Sequence, residues 1–136
     1  MTDHAEVDQL LQLLSGGTCD REAAFGRLKQ AVYIHVIAEE DTLYPAVIHF
    51  QKEFIDQAYR EHAQVNQLLR RMERAGVNDG AFPENVATLA GLIRGHVVRE
   101  ESHLIPLARD MLGEEEVQGL SARFVEVGER IAQRSR

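Results

Sequence analysis

The segment HVIAEEDTLYP at residues 35–45 returns as HVVREESHLIP at residues 96–106. The two copies share a histidine, a valine, a Glu-Glu pair, a leucine and a proline in register. Upstream of each, DHAEVDQLL at residues 3–11 returns as EHAQVNQLL at residues 61–69, identical at six of nine positions. A repeat of this length corresponds to one helix pair, and neither pair can bury its apolar stripe alone. The sequence therefore predicts two helix pairs that pack as a four-helix bundle with approximate twofold symmetry.

Apolar residues recur at steps of three and four along the chain, without strand-like alternation, so the predicted fold class is all-α. Turn-forming residues and prolines divide the chain into helices at about 3–14, 20–45, 53–75 and 83–102, and leave residues 46–52 unassigned. A further amphipathic helix is expected at about 114–133. The expected architecture is one domain over residues 1–136, an antiparallel up-down four-helix bundle at about 3–112 followed by a C-terminal amphipathic helix.

Length and composition restrict the class of protein. With 136 residues, 44% of them hydrophobic, the chain can form one domain with its own core. Fifteen basic against 22 acidic residues give a net charge of −7, which argues against binding to nucleic acid or to an anionic membrane. The sequence shows no signal-peptide pattern and no membrane-spanning run, and its one cysteine, Cys19, cannot form an internal disulfide. The expected location is the cytoplasm, as a monomer or a homodimer.

Each of the four bundle helices carries a histidine at an interior position of its apolar stripe, and two of them add a glutamate one turn later. These six residues are His4, His35, Glu39, His62, His96 and Glu100. Burying an ionised carboxylate without a counter-charge costs on the order of several kcal/mol. A proton-sharing network without metal is one way to satisfy the six groups. A bound cation is the favoured interpretation, because imidazole and carboxylate are metal ligands and the cation compensates their charge.

The donor set indicates the kind of metal. Four imidazoles and two carboxylates are too many for one tetrahedral zinc, and too rich in nitrogen for calcium or magnesium. They suit two octahedral transition-metal ions, each bound by two imidazoles and by one oxygen of each bridging glutamate. A bridging oxygen would occupy a fifth position and leave one position per ion open for a small ligand. Ferritin-like di-iron bundles use a Glu-x-x-His spacing, whereas this chain has His-x-x-x-Glu.

The pattern of candidate ligands in this chain is His4, His35-x-x-x-Glu39, His62 and His96-x-x-x-Glu100. Together with the leucine and proline that follow each Glu-Glu pair, it resembles the hemerythrin-like (HHE cation-binding) family. The resemblance covers residues 3 to about 112. It implies a four-helix bundle around a non-haem di-iron centre, bridged by carboxylates and by oxo or hydroxo, that reacts with dioxygen, peroxide or nitric oxide. By position, the four histidines would be terminal iron ligands and the two glutamates would be the bridges.

The chain departs from the oxygen-carrying hemerythrins at two positions. Those proteins carry a further histidine one turn after the third-helix ligand, where this chain has Asn66. They also place the last carboxylate five residues after its histidine, at the position of Glu101, but Glu100 is preferred because it lies on the apolar stripe and repeats the Glu39 spacing. Without the fifth histidine, both irons are expected to keep an open site, which argues against simple reversible oxygen storage.

Further polar residues have more than one interpretation. Tyr44 is a substitute ligand or a hydrogen-bond donor to the ligands, although a tyrosine at a helix end is more often a packing group with a solvated hydroxyl. His103 is expected beside the site or at the surface, and His49 is expected at the surface. Cys19 is expected to begin a helix, since a redox role needs a lowered pKa that the sequence does not indicate.

These expectations favour a cytoplasmic di-iron protein that binds and turns over a small oxidant, either hydrogen peroxide in a catalase-like cycle or O₂ and NO. One alternative is an iron- or oxygen-responsive sensor, in which the C-terminal helix contacts a protein partner. The other is an oxygen- or iron-binding protein without turnover. In each case the expected ligand is a small diatomic molecule or a peroxide, and neither nucleic acid nor a membrane is an expected partner.

Overall fold

The computed structural model describes residues 2–16 and 20–134, and within them the side chains from residue 5 onward. The α-helices are α1 (Thr2–Gly16), α2 (Arg21–Ala38), α3 (Tyr44–Val47), α4 (Lys52–Ala75), α5 (Phe82–Arg99), α6 (Ile105–Leu112) and α7 (Glu114–Arg134). Two π-helical segments, the first π-turn (Glu39–Leu43) and the second π-turn (Glu100–Leu104), follow α2 and α5. The described residues contain no β-strand, so the all-α prediction is confirmed.

Helices α1, α2, α4 and α5 form the predicted antiparallel four-helix bundle. Helix α1 packs against α2 and α5, and α4 packs against α5. Their apolar stripes meet in a main cluster that includes the fully buried side chains of Leu11, Leu28, Met72 and Leu89. Burying each such side chain contributes roughly 1.5–3 kcal/mol to folding. A smaller end cluster packs at the other end of the bundle and consists of Tyr44, Val47, Ile55, Ala58, Leu104 and Ala108.

The helix ends follow local sequence signals. The Asp20 side chain accepts a hydrogen bond from the backbone N–H of Ala23 and caps the start of α2. Helices α4 and α6 end at Gly76 and Gly113, whose φ angles are +89° and +85°. Glycine adopts this conformation without the steric cost that a Cβ atom brings. The predicted end of the helix at about residue 75 is confirmed.

The effect predicted for the prolines differs from the structure. We expected Pro45 to kink or end the second helix and Pro106 to interrupt the fourth near residue 102. Regular α-helix instead ends earlier, at Ala38 and Arg99, and the chain stays helical through each π-turn into α3 and α6. Each proline lies in the first turn of the helix that follows its π-turn, and it lacks the N–H that a continuous α-helix would use there.

Helix α7 is the predicted C-terminal amphipathic helix. It packs along α2, the first π-turn and α6, with Leu120 and Phe124 buried against them. In the described part of the chain, no helix combines the length and the hydropathy that crossing a bilayer requires.

Candidate metal centre

Five of the six predicted ligands meet between the main cluster and the end cluster of the bundle. These side chains come from the last turns of α2 and α5, from the middle of α4 and from the first residue of each π-turn. They are His35, Glu39, His62, His96 and Glu100. Their exposed fractions lie between 1% and 8%, so the site is buried. The sixth, His4, is in α1, and its side chain lies outside the described residues.

Glu39 is the carboxylate that the histidines share. Its Oε1 lies 3.1 Å from His35 Nε2, 3.3 Å from His62 Nε2 and 3.6 Å from His96 Nε2. His96 Nε2 in turn lies 3.3 Å from Glu100 Oε1. The donor atoms form two overlapping groups, Glu39-His62-His96 and His35-Glu39-Glu100, each within 4.8 Å. Glu39 is therefore common to both groups of candidate ligand atoms.

The two π-turns bring the glutamates inward. Each π-turn begins at its glutamate, and its wide hydrogen bond runs from Tyr44 N–H to the Glu39 carbonyl or from Ile105 N–H to the Glu100 carbonyl. In the first π-turn the Thr42 hydroxyl also donates a hydrogen bond to the backbone carbonyl of Ala38, at 2.6 Å. Such π-segments are rare and occur frequently at functional sites. The repeated His-x-x-x-Glu spacing thus corresponds to a repeated irregularity of the backbone.

Tyr44 places its hydroxyl among the same ligands. The side chain is fully buried, and Oη donates a hydrogen bond to Glu100 Oε2 at 2.8 Å. The hydroxyl also lies 3.2 Å from His62 Nε2, 3.3 Å from His96 Nε2 and 3.4 Å from Glu39 Oε1. The interpretation of Tyr44 as a hydrogen-bond donor to the candidate ligands is therefore confirmed, and its interpretation as a packing group with a solvated hydroxyl is wrong. The π-turn adds a residue to the helical register, so a stripe counted in steps of three and four misses Tyr44.

Two carboxylates that the sequence analysis did not single out contact the outer nitrogens of the histidines. Glu40 Oε2 lies 2.8 Å from His62 Nδ1, and Glu61 Oε1 lies 2.8 Å from His96 Nδ1. The other oxygen of Glu61 pairs with the Arg99 guanidinium. In both histidines the outer nitrogen donates to a carboxylate, which leaves Nε2 facing the cluster. Adjacency to a ligand along the chain was the available sequence signal, but both contacts cross between helices.

Burial and mutual contact change the acidity of the cluster. Burial opposes ionisation of Glu39, but hydrogen bonds with Glu100 and the three histidines lower its pKa well below the usual value. Burial and the hydrogen bond to Glu39 raise the pKa of Glu100 to about 7. Burial opposes protonation of His96, but its contacts with Glu100 and Glu39 raise its pKa to about 10. Burial and the two carboxylate charges also raise the pKa of Tyr44.

The inward-facing atoms fit a transition-metal cation. The Nε2 atoms of His62 and His96 lie only 3.2 Å apart. Because both rings direct Nδ1 at a carboxylate, two nitrogen lone pairs face each other unless a proton or a cation lies between them. Imidazole nitrogen mixed with carboxylate oxygen is a donor set that iron, manganese and zinc accept.

A small apolar cavity of about 40 Å³ adjoins the three histidines. Valine side chains, among them Val7, Val32 and Val65, form much of its wall. A cavity needs only about 10–15 Å³ to hold one water molecule. The space beside the ligands is therefore suited to a molecule of a few atoms.

The remaining polar residues considered above are at least partly exposed or lie outside the described part of the chain. Glu101, His103 and His49 are exposed, and Asn66 is half-buried. Of the two neighbouring carboxylates, Glu100 contacts His96 in the described part of the chain, and Glu101 is exposed. Cys19 lies outside the described residues.

The family model of the Hemerythrin HHE cation binding domain matches residues 1–108. The chain therefore belongs to the hemerythrin HHE cation-binding family. It is similar to a DNA nickase of Nostoc sp. (strain PCC 7120), with 31% identity over 135 residues. The match covers 97% of this chain but only 38% of that relative. It also resembles the crystal structure of a hemerythrin HHE cation binding domain-containing protein, an Rv2633c homolog from Mycobacterium kansasii. That likeness has a TM-score of 0.76 at 23% identity and covers 95% of this chain and 84% of the other, which shows the fold.

Proposed function

We propose that this protein holds a pair of iron ions in the buried cluster and uses them to bind and react with a small oxidant. The proposed ligands are His4, His35, Glu39, His62, His96 and Glu100. The observation that carries the proposal is the pair of overlapping donor groups with Glu39 in both. A carboxylate between two groups of donors is suited to bridge two ions, and Glu100 beside His96 is suited to be the second bridge.

The assignment of His4 rests on the internal repeat. His4 aligns with His62 in the two copies of the upstream segment, and α1 occupies the position in the bundle that completes the ring of helices. Its imidazole would complete the group formed by His35, Glu39 and Glu100, which has one histidine where the other group has two.

Bound iron would supply Lewis-acid and redox chemistry at the cluster. The chain itself contributes binding, selectivity and proton storage. The valine-lined cavity of about 40 Å³ admits a peroxide or a diatomic molecule and excludes bulky reductants. The hydrogen bond from Tyr44 Oη to Glu100 Oε2 holds a proton directly beside the ligands, where an incoming oxygen species would need one.

The proposed ligand is a small molecule in the cytoplasm and not nucleic acid. The net charge of −7 opposes attraction to a phosphate backbone. The name of the Nostoc relative refers to a protein of which this chain spans 38%, and the nicking activity in that name is not part of the proposal.

The test is metal analysis of protein purified from iron-supplied medium, followed by oxygen evolution on addition of hydrogen peroxide. We expect two irons per chain, a charge-transfer absorption in the visible range and oxygen evolution faster than that of free iron. The variant H96A should lose the metal and the activity. The matched variant H103A, which changes an exposed histidine seven residues later, should keep both. Two bound irons with oxygen evolution no faster than free iron would leave a binding protein without turnover.

A contact between α7 and the cluster favours a sensor as the second candidate. The Phe124 ring packs edge-on against the His35 imidazole, with 5.5 Å between the ring centroids. A movement of the His35 ring on metal binding would therefore change its contact with α7. Helix α7 is the expected surface for a protein partner. Hydrogen exchange of α7 with and without metal tests this: a sensor requires metal-dependent protection there, and equal exchange in both states would exclude it.

A further inference from the structure

Two carboxylates outside the proposed ligand set connect neighbouring helices through the histidines. Glu40 follows Glu39 in the first π-turn but contacts His62 of α4, at 2.8 Å from Nδ1. Glu61 precedes His62 in α4 but contacts His96 of α5, also at 2.8 Å from Nδ1. Each carboxylate therefore belongs to the helical segment before the histidine that it contacts.

We propose that Glu40 and Glu61 are positioning residues, which fix the ring orientation and the tautomer of His62 and His96 so that Nε2 faces the metal. The proposal rests on the proposed function, since it concerns how the histidines meet a cation. A carboxylate that accepts a hydrogen bond from Nδ1–H leaves the lone pair of Nε2 free to bind a metal and increases the basicity of Nε2. Without that acceptor the ring can rotate, or can carry its proton on Nε2, and either change removes a ligand atom.

The two positions are unequal. Glu61 is nearly buried, with 11% of its side chain exposed, and its second oxygen is paired with Arg99. Glu40 is more accessible, with 30% of its side chain exposed. A charge-assisted hydrogen bond is stronger when it is shielded from water and its acceptor is held in place. We therefore expect Glu61 to contribute more than Glu40.

The internal repeat keeps acidic residues at the corresponding positions. Glu40 aligns with Glu101 in the downstream segment, and Glu61 aligns with Asp3 in the upstream segment. A carboxylate thus stands at all four positions, whereas the Arg99 position is occupied by Ala38 in the other copy. Within the described residues, Arg99 pairs with Glu61, the carboxylate that contacts His96.

The test compares E61Q and E40Q with the matched control E53Q, which changes an exposed glutamate in the first turn of α4. Glutamine keeps the size of the side chain but removes the charge that holds the Nδ1 proton. Affinity for Fe²⁺ is measured without oxygen, by competition with a chelator. We expect E61Q to bind about 10- to 100-fold more weakly than the wild type, E40Q to lose less, and E53Q to be unchanged.

A second measurement reports on the rings without any activity. In Zn²⁺-loaded protein, which is diamagnetic, the Nδ1–H protons of His62 and His96 should give separate, slowly exchanging NMR signals. E61Q should shift or remove the signal of His96 alone, and E40Q that of His62 alone. If E61Q does not fold, R99Q at an exposed position tests the same carboxylate by releasing its anchor, with a smaller loss of affinity.

The outcomes separate the two proposals. A wild-type chain that binds no metal overturns the proposed function and the positioning role together. A wild-type chain that binds metal, with E61Q and E40Q binding equally tightly and both Nδ1–H signals unchanged, overturns the positioning role alone.

Discussion

The two π-turns have the same backbone form and a similar sequence, but the residues that follow and surround them differ. Both begin at a buried glutamate four residues after a histidine, and both end at a leucine. The next residue is Tyr44 after the first π-turn and Ile105 after the second. The Tyr44 hydroxyl reaches across the cluster to Glu100, the carboxylate of the other copy. The repeat therefore supplies a nearly symmetric set of ligands within asymmetric surroundings, which predicts two cation positions with different properties.

Helix α7 adds a second asymmetry, because it packs along the first π-turn, whereas its contact with the second copy is through α6. Thr42 in the first π-turn is buried, whereas His103 at the equivalent position of the second is exposed. Phe124 of α7 packs against His35. The first copy thus depends on α7 for its shielding from water, whereas the second faces solvent at the same place.

The largest effect is expected where the two copies converge. Glu39 belongs to both donor groups and Glu100 to one, so E39Q should remove both ions and E100Q should leave part of the metal bound. Metal per chain, measured after gel filtration, distinguishes these results. Equal metal contents in E39Q and wild-type protein would show that Glu39 is not the shared ligand.

The second-largest effect is expected on stability, when the contact between α7 and the first copy is removed. Phe124 is 8% exposed, and truncating a buried phenylalanine typically costs about 3–5 kcal/mol, so F124A should destabilise by about 3 kcal/mol. Urea unfolding of the metal-free protein measures this loss. V125A, at a neighbouring residue that is 56% exposed, is the control and should change the free energy of unfolding by less than about 0.5 kcal/mol. Similar losses in the two variants would indicate that α7 is not docked as described.

Removing the tyrosine that distinguishes the copies should have a smaller effect. In Y44F the Glu100 carboxyl loses a buried hydrogen-bond donor, which should cost about 1–3 kcal/mol in the metal-free protein. The control Y33F changes an exposed tyrosine and should be neutral. The visible spectrum of the iron-loaded Y44F protein should also change, because the hydroxyl lies among the ligand atoms. An unchanged stability together with an unchanged spectrum would contradict the placement of Tyr44.

The smallest expected effect is on the pH dependence of metal binding. The raised pKa values of Glu100, about 7, and His96, about 10, mean that both hold protons in the metal-free protein below neutral pH. A cation must displace these protons, so its affinity should rise as pH increases from about 6 to 8 and Glu100 deprotonates. Calorimetry in two buffers of different ionisation enthalpy measures the protons released. Binding without proton release at about pH 6 would contradict the assignment.

The sequence predicted much of the fold because its repeat and its apolar periodicity carry that information directly. Both determine which helices pair and which face turns inward, and they placed His35, Glu39, His62, His96 and Glu100 on that face. The predictions made from prolines were less accurate. A proline marks a backbone change, but the sequence alone does not distinguish a helix end from a π-turn that lets the helix continue.

The contacts that the sequence left open depend on how the helices pack. The role of Tyr44 stayed open between ligand, hydrogen-bond donor and packing group, because regular counting does not include the shift of the helical register at the π-turn. Glu40 and Glu61 contact histidines of other helices, so their roles depend on how the helices are packed. Local patterns predict the face on which a residue lies, but not its partner across the bundle.

The most direct test is an anomalous difference map, measured at the iron absorption edge, from crystals of protein purified with iron. We expect two peaks per chain inside the bundle, with Glu39 between them and imidazole nitrogens around them. A map with no peak there, or with iron only at surface carboxylates, would contradict this expectation.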